Sequence, residues 1–558
     1  MARDLIVRGG LVVDGTGAPS RRADVAVQAG RIVAVGDVSD TGAEEIDAHG
    51  CIVTPGFIDP HTHLDAQLCW DPAATPTSSH GVTSVVIGIC GFGIAPCAEG
   101  GAEYLLRSLE VVEEIPFEST SRGVPFSWST WPEFLDHLDR RGLAVNVGGL
   151  VPHSALRYFV MGERAREGPA SADERDAMVK ELARSLDGGA LGFASSRGPN
   201  HLDAFGDPVP SRHADDDELR ALVAACRGRI WQINLRTKFG GDAIALTEEV
   251  ETYARWTEDA GARLTWSPLF VDRATTVWRD ALDHSRTLND HVVVAPQVSP
   301  NPFTTGLRFN RPSVALGVSG WRDVFAGFFD LSHAERRARM RDTGFRAALR
   351  TASTDSGPGL RADYDTWLIT ASPSRPDLVG QTLGAAAANA KLHPVDLLCD
   401  LMDADDLETQ LSVPVLNDDT DAIASILVDP CTLVGLGDSG AHVMSVTNYS
   451  YPTYLLSALV RDLGKVPLEI AVERITRRPA ELFGIRGRGQ LAPGYAADIG
   501  VIDLEALTLG RVEVVNDLPG EAPRLVQQAR GYRAVLVNGE LTVQDDQLTG
   551  ATPGHAIR

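Results

Sequence analysis

The chain has 558 residues, 44% of them hydrophobic and 23% charged, a balance that builds a sizeable core and excludes a disordered chain. Its net charge of −24 argues against nucleic acid or an anionic membrane as partner, because phosphate surfaces recruit basic patches. The seven cysteines are scattered without CxxC pairs, the N-terminus lacks a basic start with an apolar signal core, and no run nears the roughly 18 apolar residues of a membrane span, so the cytoplasm is the expected compartment.

In chain order, the first 50 residues alternate apolar and polar side chains between glycine turns (LIVRGGLVVDGTG, then ADVAVQAGRIVAVGD), which predicts hairpins. The far C-terminus has the same texture in ADIGVIDLEAL and YRAVLVNGELTV. Residues 1–54 and 488–558 are therefore expected to assemble one composite β-sandwich domain. Residues 55–487 read differently. Eight continuous apolar runs, each followed by helix-like sequence, occur there: IVTPGFIDPHTH, GVTSVVIGICG, LAVNVGGLVPH, GALGFASS, RIWQINLR, RLTWSPLF, HVVVAPQVS and CTLVGLGDSGAH. Strands buried on both faces and joined by helical crossovers give this pattern, and eight of them predict an α/β fold of the (β/α)8 TIM-barrel type. Between the seventh and eighth runs, at about 300–430, the helix-like FDLSHAERRARMRDTGFRAALR and HPVDLLCDLMDADDLETQL predict a helical insertion over the barrel mouth.

Chemistry in such a barrel gathers at the C-terminal ends of the strands. Those ends carry His61 and His63 (strand one), Cys90 (two), His153 (three), Ser196 and Arg197 (four), Asn234 and Arg236 (five), Gln297 (seven), and Asp438 with His442 (eight). Residues i and i+2 of a strand face the same side, so His61 and His63 can address one target. Taken alone, the pair reads equally well as a turn cap and a solvent-facing side chain, Asp438 as a turn residue, and Cys90 as core. Together, two histidines, a thiol and a carboxylate from three strand ends make a plausible Zn²⁺ set.

These residues sit in stretches that resemble the amidohydrolase superfamily, and within it the D-aminoacylase branch: LIVRGGLVVDGTG, TPGFIDPHTHLD, GVTSVVIGICGFGIAP, LGDSGAHV and RPAELFGIRGRGQLAPGYAADIGVID. The resemblance spans essentially the whole chain. It implies a metal-dependent hydrolase in which His61, His63, Cys90 and Asp438 hold one divalent metal, zinc or another, with Asp438 also the general base for the attacking water. The sequence departs from that branch where strands five and six end. Asn234 and Pro268 stand where the family has metal-binding histidines, and the lysine that helps hold the substrate carboxylate has no clear counterpart. One metal per chain is therefore expected.

In this reading His442 and His153 are candidate donors to a developing oxyanion. Arg197 and Arg236 are candidate anchors for a substrate anion, with a structural ion pair the equal alternative for each. Asn234, Ser196 and Gln297 complete the expected substrate-binding set, and Asp65 is expected to orient a metal ligand or close a turn. The expected reaction is hydrolysis of an amide-type C–N bond in a small molecule, an N-acyl amino acid or related amide. The alternatives are a cyclic amide, lactone or ester on the same scaffold, and a non-catalytic barrel that binds a small molecule. The sequence leaves a homo-oligomer open.

Overall fold

The computed structural model describes residues 3–237, 242–273, 275–310, 314–355 and 360–558. Eight parallel strands lie side by side in chain order: Phe57–Asp59, Val82–Ile87, Asn146–Pro152, Gly192–Ser196, Ile230–Asn234, Arg263–Ser267, Val294–Val298 and Leu433–Val434. Each falls within one of the apolar runs. Every residue of the second, third, fourth and seventh strands is buried, because helices cover the outer face and side chains of neighbouring strands fill the inner one. The crossover helices have clear local signals. Ala172–Asp187 opens on a capping box between Ser171 and Glu174, and Ala243–Ala260 closes on Gly261 at φ 63°.

The first and last strands have only three and two residues. The sheet closes into a barrel just beyond their ends. The His63 N–H donates to the Ser439 carbonyl at 2.7 Å, the Asp438 N–H donates to the His61 carbonyl at 3.1 Å, and Thr62 bridges to Ser439. Gly440 permits this approach, since a Cβ there would meet the His63 carbonyl at 2.5 Å and its φ is +87°.

Strands from the two ends of the chain share one sheet. Ile52–Pro55 pairs antiparallel with Ile499–Ile502 and parallel with the end of Arg3–Val12, which joins nine strands into a continuous ladder. The two ends thus share one nine-stranded sheet around a core that includes Val7, Val25, Ile32, Val53, Ile499 and Leu536. Two parts of residues 488–558 leave this sheet. The ribbon of Thr508–Leu518 and Ala522–Arg530 reaches the barrel, where Arg524 donates to the Thr75 carbonyl at 2.7 Å. Residues 553–556 form bridges to Leu143 and Val147, at the start of the third strand.

Between the seventh and eighth strands, Phe303–Leu307, Leu368–Ala371 and Gln410–Leu416 form an antiparallel sheet. Helices including His333–Arg341, Thr343–Ala352 and Pro394–Ala404 accompany it around a separate core of Trp321, Phe325, Phe328 and Trp367. This region, expected to be helical, is therefore mixed; its residues 311–313 and 356–359 lie outside those described. Asn417 fastens its base, exchanging two hydrogen bonds of 2.8 Å with the Val271 backbone and donating to the Ser299 carbonyl at 3.2 Å.

One buried ionic group interrupts the apolar packing beside the third and fourth strands. Glu218 meets His153 Nε2 at 2.9 Å and pairs with Arg157, all three side chains being buried. Burial works against the carboxylate, but His153 and Arg157 together hold its pKa down at about 2. Glu218→Gln should cost about 3–5 kcal/mol, because it leaves buried Arg157 without its counter-ion. Arg220→Ala breaks an exposed pair with Asp259 and should cost under about 1 kcal/mol. The Glu218 pKa lies below its ordinary 4.5, so its contribution is complete above that pH and is lost as pH falls towards 2. The thermal-unfolding deficit of Glu218→Gln should therefore shrink across that window, and a constant deficit would contradict this account.

Candidate metal centre and adjoining cavity

The closure of the barrel puts three predicted donors in one place. His61, His63 and Cys90 are buried, and one ligand atom from each falls within 4.8 Å of the others. His61 follows the first strand directly, and Cys90 sits in a left-handed turn (φ 59°) after the second. Asp438, also left-handed at φ 46°, brings Oδ1 to 3.2 Å from His61 Nε2 and 4.0 Å from His63 Nε2. Backbone held in this region by side chains other than glycine is a cost that functional sites commonly carry.

Each imidazole has one nitrogen aimed at the cluster and the other held from behind. His61 Nδ1 donates to Gln297 Oε1 at 2.5 Å, which leaves Nε2 as the lone-pair atom facing Cys90 Sγ at 3.3 Å. His63 Nδ1 lies 3.3 Å from Glu113 Oε1. Burial keeps both rings below the ordinary histidine pKa, and for His63 the neighbouring His61, His442 and His201 add to the effect. Neutral imidazole is the form that ligates a metal. Acidic groups around the cluster shift the other way. Burial, then Glu113 and Asp438, push the Cys90 thiol well above its usual value, and burial pushes Glu113 up to about 8. A divalent cation fits these donors, since it would relieve the crowding of acidic groups and accept the lone pairs that the histidines present.

Strands five and six contribute neutral groups. Gln232 Oε1 accepts from the Cys90 N–H at 2.8 Å, while its Nε2 donates to Asn234 Oδ1 at 2.7 Å and to Ser267 Oγ at 2.8 Å. The Ser267 hydroxyl also donates to Asn234 Oδ1, at 2.7 Å. The Asn234 amide adjoins the Cys90 thiol and works against the rise of its pKa. Pro268 offers no side-chain donor.

The remaining expectations divide. Asn234 lines a cavity of about 310 Å³, together with His201, Trp266, Phe270 and Trp278. His442 stands beside Glu113 and Glu114; burial opposes its charge, but Glu114, Glu113 and Asp438 hold its pKa up at about 9. His153 is corrected as an oxyanion donor, because Ser195 Oγ and Glu218 engage both ring nitrogens. Gln297 is corrected as a substrate contact, since its carbonyl serves His61. Arg197 is corrected as a free anion anchor: it is paired with Asp216 at 2.7 Å and faces the Tyr253 ring. Arg236 is exposed and does not line the cavity. Ser196 Oγ is engaged by His201 Nδ1 at 2.6 Å. Asp65 accepts from the Gly88 N–H at 3.3 Å, which ties down the turn that carries Cys90.

Two contributors escape sequence reasoning. Glu113 ends the helix Ala102–Val112 in the acidic run EVVEE, which reads as a solvated face. His201 lies in a loop, in GPNHLD, with no strand end to mark it.

The amidohydrolase family model matches residues 44–543. D-aminoacylase of Alcaligenes xylosoxydans xylosoxydans is 28% identical over 99% of this chain and 97% of its own, and N-acyl-D-glutamate deacylase of the same organism is 29% identical over 96% and 93%. The solved N-acyl-D-glutamate deacylase of Bordetella bronchiseptica, complexed with zinc and a phosphonate inhibitor, superposes with a TM-score of 0.66 at 25% identity, covering 100% of both chains. Among the described residues no helix is long and apolar enough to cross a membrane. The chain belongs to the amidohydrolase family, in its D-aminoacylase-like branch, and is a metal-dependent hydrolase acting on C–N bonds other than peptide bonds.

Proposed function

We propose that this protein is a single-metal deacylase of small N-acyl compounds, with His61, His63, Cys90 and Asp438 as the metal donors and Asp438 as general base. The observation that carries this reading is that ligand atoms of His61, His63 and Cys90 lie within 4.8 Å of one another, with Asp438 Oδ1 3.2 Å from His61 Nε2 and neutral amides on the side of strands five and six. Zinc is the cation best matched to a mixed nitrogen, sulfur and oxygen set of this size. A second cation beside Cys90 would need lone pairs from strands five and six. The Asn234 oxygen is already taken by Gln232 and Ser267 and Pro268 has nothing to give, which supports one metal. A solved D-aminoacylase structure with a TM-score of 0.65 and 26% identity has a binuclear metal centre described in terms of one-metal activation and second-metal attenuation, so a single metal is compatible with deacylation on this scaffold.

When bound, the metal supplies a Lewis acid that polarises a carbonyl and acidifies water. Asp438 accepts the proton of the attacking water at a carboxylate oxygen and returns it to the leaving nitrogen. It is suited to both transfers because its side chain is 19% exposed while its neighbours in the cluster are buried. His442, seated on Glu113 and Glu114, donates to the oxygen on which negative charge develops. Gln297 and Glu113 orient His61 and His63 from behind. The mixed region between strands seven and eight shapes the substrate cavity, since its Phe303 packs on Phe270 with ring centroids 4.6 Å apart.

Asp438→Asn should lower kcat by about 10²–10⁴-fold, the range of a general base. Turnover close to that of the wild type would remove Asp438 from the role. Glu113→Gln should weaken metal binding about 10–100-fold through loss of the carboxylate behind His63, measured by competition with a chelator. Unchanged affinity would show that His63 is positioned without Glu113.

A further inference from the structure

Cys90 sits in a turn that is held largely from outside. Gly88, Cys90 and Gly91 all have left-handed backbone, at φ 74°, 59° and 76°. That region is cheap for glycine, but a residue with a side chain persists there only when its surroundings hold it. Within the turn, the Phe92 N–H donates to the Ile89 carbonyl at 3.1 Å. Packing fixes one side, because a Cβ at Gly91 would meet the Ser195 Cα at 3.0 Å, so the turn lies against the end of strand four. Asp65 holds the entry through the Gly88 N–H. The buried Cys90 N–H finds its acceptor 142 positions later, in Gln232 Oε1 at 2.8 Å.

Gln232 is suited to this task by its place and its own partners. It is fully buried on strand five, two residues before Asn234, so the two side chains share one side of the strand. A backbone N–H can only donate, so the amide oxygen of Gln232 is the atom that faces Cys90, and its nitrogen turns to strands five and six. There Nε2 donates to Asn234 Oδ1 and to Ser267 Oγ, at 2.7 and 2.8 Å. The oxygen therefore cannot swing away from Cys90 without breaking buried hydrogen bonds behind it. We propose that Gln232 is a positioning residue for the metal centre: by accepting the Cys90 N–H it holds the left-handed turn that keeps Sγ beside His61 and His63. The proposal deepens the metal-centre reading and rests on it, since the aim of Cys90 matters only if Cys90 is a donor. Without the acceptor, a buried N–H would be left unpaired, and the turn would relieve it by leaving the left-handed region. Sγ would then move off the cluster, while His61, His63 and Asp438 stay clasped through their own backbone.

The test loads the full-length protein with Co²⁺ and reads the thiolate-to-cobalt charge-transfer absorption, together with Co²⁺ affinity in competition with a chelator. The unmutated protein should show the band and Cys90→Ser should lack it. Gln232→Met, which keeps the bulk but offers no oxygen, should lose most of the band and bind Co²⁺ about 10–100-fold more weakly. Thr265→Val is the comparison. Thr265 is buried in register with Gln232 and donates to the Ala295 carbonyl at 2.7 Å, so its loss removes a barrel hydrogen bond without touching Cys90. That variant should keep both the band and the affinity. If Gln232→Met does not fold, Gln232→Asn, whose acceptor stops one methylene short, should show the same loss. A full band with unchanged affinity in the Gln232 variant would overturn the proposal and leave the metal-centre reading standing. Equal loss in Thr265→Val would also overturn it, as a general effect of barrel polarity. No band in the unmutated protein would remove Cys90 as a donor and the proposal with it.

Discussion

The site depends on a pair of backbone hydrogen bonds. His63 N–H to the Ser439 carbonyl and Asp438 N–H to the His61 carbonyl join the loops after the first and last strands. Those strands are too short to hold the barrel shut by a long ladder of their own, so closure falls to the segments that carry the proposed metal donors. The bonds that complete the fold therefore also set the His61 to Asp438 distance. Asp59 reinforces the seam from below. Buried, with its pKa pushed up to about 8, it accepts from the His61 N–H and leaves no room for a Cβ at Gly437. Side chains at His61, His63 and Asp438 cannot drift independently, because their own peptide groups are the clasp.

Around that seam, electrostatics and hydrogen bonding are arranged by element. Strands one, two and eight supply lone pairs; strands five and six supply a closed ring of neutral groups, Gln232, Asn234 and Ser267. The ring is internally satisfied, so it fills space beside Cys90 without charge. Beyond it the lining turns apolar. The transition from donors to neutral amides to aromatic wall runs over a few residues of two adjacent strands, and it gives the cavity a polarity set by position.

Much of this was legible in the sequence, for identifiable reasons. Strands buried on both faces read as unbroken apolar runs, so all eight could be found, and donors at strand ends inherit their location from the strand. His61, His63, Cys90 and Asp438 were readable because each follows such a run. What could not be read depends on contacts across long separations. His153 looked like a mouth residue until Glu218, 65 positions later, was seen to hold it. Gln297 looked like a substrate contact, yet its partner is His61, 236 positions earlier. Glu113 was hidden in a charge run, and its contacts with His63 and with the loop that carries His442 join distant parts of the chain. The two ends share one sheet because Ile52–Pro55 hydrogen-bonds to both halves, a pairing that alternation along each half does not disclose.

The central claim is that one metal, and only one, is held where the two loops meet. Anomalous X-ray diffraction at the zinc edge, on crystals of protein purified without chelator, tests it directly. The account predicts a single strong peak per chain, within ligand distance of His61, His63, Cys90 and Asp438. A second peak of comparable height beside Cys90, on the side of Asn234 and Pro268, would contradict it.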